Sequence, residues 1–217
     1  LAEQVSDSMD AVTAEAALVV ASMDGITAST TPEEAANAAA ANAGAFWTEG
    51  CFTYLIDGAS ITYALTECGG PFGLARVNGS VTVTYRATAS SYGFDVTTSS
   101  LTIGDATVSY MLSADVATDA RNVRVTSSGS ATGRRGHMVT HEGTYDLRWN
   151  GSSDCAGLDG SWTATVGART FTTQVAGWQR CGDGCPAAGG SISYTGPVAS
   201  VIVTYDGSSE ASFTNGE

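Results

Sequence analysis

His137 and His141 stand four residues apart, with Glu142 beside the second and Arg134–Arg135 just before the first. On a helix this spacing puts both imidazoles on one face, where they can hold zinc. Gly136 and Gly143 bracket the run and argue instead for a strand or turn. In a strand the two histidines share a face but lie about 13 Å apart at full extension, too far for one ion. The expectation is a solvated polar hairpin with no metal at His137 and His141.

Other chemistry is thinner still. Asn150, Asp154 and Asp159 bring oxygen atoms to one Gly- and Ser-rich segment, but without the ligand periodicity or closing Glu of a calcium loop. Gly182-Asp183-Gly184-Cys185-Pro186-Ala187 is a shortened match to a dinucleotide fingerprint. It contains Pro and precedes a strand pattern, so no cofactor is expected. There is no G-x-S-x-G and no Lys, which excludes Schiff-base and P-loop chemistry. Asp95, Asp105, Asp115, Asp119 and Asp146 are plentiful carboxylates, yet sequence does not say which two converge. Trp47, Trp149, Trp162 and Trp178 offer stacking surfaces for sugars, although aromatic residues in sheets are more often core.

The five cysteines are Cys51, Cys68, Cys155, Cys181 and Cys185, with no paired C-x-x-C zinc pattern. Ser161–Val166 and Thr170–Val175 form a hairpin pattern around Gly167–Ala168, and extending that register outward brings Cys155 opposite Arg180 or Cys181. A Cys155–Cys181 disulfide is predicted. Cys51 and Cys68 flank the Asp57-Gly58 turn and make the second pair, although simple register sets Cys51 nearer Ala64. Cys185 is then left as a free or intermolecular thiol. Bridges of this kind belong to an oxidising compartment.

The elements that carry these residues fall into two parts. Over residues 1–45, Val5, Met9, Val12, Ala16, Val19 and Met23 recur at spacings of 4, 3, 4, 3 and 4, a heptad-like helical stripe that Gly25 stops. A second helix opens at Thr31-Pro32-Glu33-Glu34, with Thr31 as cap and Glu34 closing a capping box, and runs through alanines to about Gly44. Together they predict an N-terminal αα-hairpin. From residue 46 to 217 the period becomes two, with turn signals at Asp57-Gly58 and Asp206-Gly207. The fold class is therefore α+β and mainly β, the helices packed on a large antiparallel meander or sandwich stapled by disulfides.

The nine basic residues are all Arg against 22 acidic residues, for a formal net charge of −13. Nucleic acid is excluded as a partner because counterion release needs clustered cations. No run approaches the roughly 18 apolar residues of a membrane span. The chain begins at Leu1 rather than Met, which points to a removed signal peptide or an artificial boundary and leaves room for a lipid anchor upstream of Leu1. The expectation is a secreted, periplasmic or cell-surface protein, not an enzyme, with a structural, assembly or binding role through self-association or other surface proteins. The alternatives are a periplasmic lipid or small-molecule carrier with a half-barrel cavity, and an exported hydrolase using unrecognised carboxylates.

Overall fold

A computed structural model describes residues 26, 30–69, 76–87, 92–103, 106–117, 122–132, 138–150, 155–181, 186–208 and 210–216, with backbone alone at 45, 46, 106, 149, 150 and 216. One helix is described, α1 (Pro32–Phe46). The heptad-like stripe from Val5 to Met23 lies outside the described residues, so the helices are not seen as a pair. Twelve strands follow: β1 (Phe52–Asp57), β2 (Ser60–Gly69), β3 (Arg76–Ala87), β4 (Tyr92–Ile103), β5 (Ala106–Val116), β6 (Asn122–Thr132), β7 (Met138–Asn150), β8 (Cys155–Val166), β9 (Arg169–Cys181), β10 (Ser191–Thr195), β11 (Ser200–Tyr205) and β12 (Ala211–Gly216). They form one antiparallel sheet in strict chain order, a meander and not a sandwich.

α1 begins as its sequence dictates. Glu34 N–H donates to Thr31 Oγ1 at 3.2 Å and Thr31 N–H to Glu34 Oε2 at 2.9 Å, with Pro32 in the first turn where no donor is missed. The helix runs past Gly44 to Phe46, and Trp47 N–H closes it on the Ala43 carbonyl at 3.0 Å. Ala35, Ala36, Ala39 and Ala43 are buried, a face of small side chains that lets the backbone sit close on β1, β2 and β3.

Period-two alternation gives the sheet an apolar inner face and a polar outer one. On the inner face Ile61, Phe94, Ala114, Val123, Val125 and Tyr145 are fully buried. A smaller cluster of Trp162, Val175, Ile192 and Tyr194 continues it into β8 to β10. At Gly143 a Cβ would stand 2.4 Å from the Trp162 Cβ, so the missing side chain is what admits the indole beside β7.

Two disulfides staple the sheet, Cys51–Cys68 and Cys155–Cys181. Cys155 stands directly opposite Cys181 in the β8–β9 register, as the hairpin extension predicts. The other pair needs an irregularity. Thr53 is the partner of Ala64, and Thr66 N–H bonds the Cys51 carbonyl at 2.9 Å, so simple pairing carries Cys51 past Ala64 but short of Cys68. Glu67, at φ 53, lies within a shift of register between Leu65 and Cys68 that turns Cys68 onto Cys51. Cys185 lies outside the described residues.

Candidate functional site

The outer face is where Thr and Ser accumulate, and register sets them in rows. Asp95, Ser113, Thr126, Thr144 and Ser161 are successive cross-strand partners from β4 to β8. Thr97, Met111, Ser128, Glu142, Thr163 and Thr172 form the adjacent row from β4 to β9. Strand spacing of about 4.8 Å and a two-residue rise of about 6.7 Å make these rows a near-rectangular lattice. Both rows line one open trough of about 750 Å³ that crosses six strands.

Neighbouring hydroxyls satisfy one another along the same face. Ser60 and Thr84 lie 2.9 Å apart, Thr62 and Thr82 2.9 Å, Thr165 and Thr170 3.1 Å, and Thr126 and Thr144 3.4 Å. A hydroxyl rotates and both donates and accepts, so each such pair keeps capacity for a further partner. Threonine methyls between them supply small apolar patches, and Met111, 63% exposed, is the large apolar side chain of the trough.

Ion pairs border the lattice toward one end of the strands. Arg86 on β3 reaches across β4 to Asp115 on β5 at 2.7 Å and pairs with Asp95 at 3.4 Å. It crosses because Gly93 lies beneath it: a Cβ there would stand 2.7 Å from the guanidinium carbon. Arg124 pairs with Asp146 at 3.6 Å, and Arg148 with Asp159, whose other oxygen accepts the Gly177 N–H at 2.6 Å. The carboxylates weighed as catalytic are therefore placed differently: Asp95, Asp115 and Asp146 are each ion-paired, and Asp105 and Asp119 lie outside the described residues. Glu142 shares the trough with Asp95 but stands three strand spacings away, about 14 Å along the sheet.

His141 is not part of a solvated hairpin. It occupies the inner face with Val139, Tyr145 and Leu147, at 5% exposure, because alternation along β7 gives it their parity. Its Nε2 lies 3.3 Å from Ser127 Oγ, its ring 6.2 Å from that of Trp162, and burial pushes its pKa down to about 4. His137 lies outside the described residues. Among the described residues no three His, Cys, Asp or Glu side chains gather as metal ligands. The oxygen-rich segment that holds Asn150, Asp154 and Asp159 is in part strand, since Cys155–Gly160 belong to β8 and Asp159 is engaged by Arg148 and Gly177. Trp47 and Trp162 are buried and Trp178 half-buried, so these three do not form an exposed sugar platform.

The trough itself was missed from sequence. Its signal was present in the alternation of Thr and Ser along successive strands, but a row crossing strands exists only once register is set. Comparison with known proteins yields no match from any family model, curated protein or solved structure.

Proposed function

We propose an exported protein of the cell surface or extracellular space that works by binding, its hydroxylated sheet face holding an extended, uncharged polar polymer such as a polysaccharide chain. The observation that carries this reading is the pair of register-aligned hydroxyl rows along one trough. Such a surface recognises by many shared hydrogen bonds and small methyl contacts. The acidic balance, with net charge −13, disfavours polyanions. Two disulfides suit an oxidising compartment, and other surface proteins or a lipid anchor upstream of Leu1 fit that setting.

The rival readings have less behind them. A lipid carrier needs a cavity closed off from water, whereas the described trough lies open along the sheet face. Hydrolysis by two carboxylates needs them within about 10 Å and open to substrate, and the pairs that lie that close, Asp95 with Asp115 and Asp146 with Asp159, are engaged by Arg86, Arg124 and Arg148. In this reading residues 1–45 form the αα-hairpin and residues 46–217 the binding domain. α1 covers β1 to β3.

The test is affinity electrophoresis through gels containing neutral polysaccharides, comparing the protein with Thr126→Arg and Thr144→Arg. Retention by at least one polysaccharide, weakened at least about tenfold in both variants, is expected. Equal retention of both folded variants, or no retention of the parent protein by any neutral polysaccharide tried, removes the proposal.

A further inference from the structure

We propose that a second copy of this chain docks edge to edge, β12 of one molecule pairing with β1 of the next, to give an open head-to-tail assembly with one continuous sheet. This goes beyond the polymer-binding reading and does not depend on it. Among the described residues, β1 pairs only with β2 and β12 only with β11, so each end of the sheet presents unpaired backbone donors and acceptors.

The two edges suit each other in three ways. Twelve antiparallel strands in chain order is an even number, so β1 and β12 run in opposite directions. A second molecule set down by simple translation along the sheet then continues the antiparallel alternation, with the inner faces of both copies on the same side. Next, the apolar side chains match. Phe213 on β12 is 71% exposed and belongs to the inner face through its partner Val203; Tyr54 on β1 is 50% exposed and belongs to it through Tyr63. Pairing of β12 with β1 sets these two rings on one face, where each covers the other. Finally, neither edge strand carries proline, and charge is confined to their ends, at Asp57 and at Glu210 just before β12.

A joint between unlike edges is heterologous, and one set by translation along the sheet does not close into a ring, so it extends. Symmetric contacts, β12 on β12 or β1 on β1, would stop at dimers.

Sedimentation velocity over a range of protein concentrations separates these cases, using Phe213→Lys and Tyr54→Lys. Both side chains are exposed, and circular dichroism with disulfide mapping checks that each variant is folded. The parent protein should show a series of species growing with concentration. Each variant alone should associate at least about tenfold more weakly, because a charge now sits on one edge. Mixed in equal amounts, the variants should form a one-to-one dimer and nothing larger, since the mixture keeps one intact β12 and one intact β1. A parent protein that stays monomeric throughout, a single variant that associates as strongly as the parent, or a mixture that stays monomeric overturns the proposal. Polysaccharide retention of the monomeric variants reads the outer face separately.

Discussion

One register row on the inner face runs through Tyr85, Phe94, Ala114, Val125 and Tyr145, then past Gly160 to Val175, Ile192, Val203 and Phe213. Every residue obeys the same alternation, yet Phe94 and Tyr145 have no exposed surface while Phe213 is 71% exposed. The alternation sets direction; burial depends on what else lies on that face. The β2–β7 region is core-held, whereas β11 and β12 are held mainly by backbone pairing and stop at an open edge.

The contrast is sharpest in matched truncations. Phe94→Ala removes a fully buried ring and should cost about 3–5 kcal/mol in denaturant unfolding, enough to threaten the fold. The two disulfides come next. Closing sequence separations of 17 and 26 residues, they should contribute about 3 and about 3.5 kcal/mol, measured in the paired Cys→Ala variants. Their accessibilities differ more than their energies. Cys68 is fully buried and Cys181 exposed, so graded reductant followed by mass mapping should open Cys155–Cys181 first.

His141 tests the seam between the regions. Its pKa is pushed from 6.5 down to about 4 in the folded chain, so the unfolded state takes up a proton first as the solution is acidified. Its contribution is full above about pH 6.5 and is lost progressively down to about pH 4, at most about 3 kcal/mol. His141→Phe should flatten that part of the stability profile, and an unchanged slope would place the imidazole in water. Phe213→Ala is the smallest effect, under about 0.5 kcal/mol in the monomer. A cost near that of Phe94→Ala would show that the open edge is covered after all.

Much of the scaffold is legible without coordinates because its causes are local. A cap side chain and a backbone N–H three residues on decide where α1 starts, and Thr31 with Glu34 states this in the sequence. Period two and the turn residues give the hairpins at Gly58, Gly167 and Gly207, and through the second of these the Cys155–Cys181 bridge. Tertiary structure decided what depends on chains passing side by side. Leu101–Ile103 looks like a short strand of its own, but it continues β4 through a shift of register, with Ser100 at φ 51. Cys68 meets Cys51 through another shift, which pairing partners impose and spacing does not reveal. His141 is a polar residue whose parity commits it to the apolar side, and the neutral form is the one that burial tolerates. The trough is the furthest from the sequence. Its residues come from six strands and become neighbours only because backbone hydrogen bonds align them, so no window along the chain contains the surface they make.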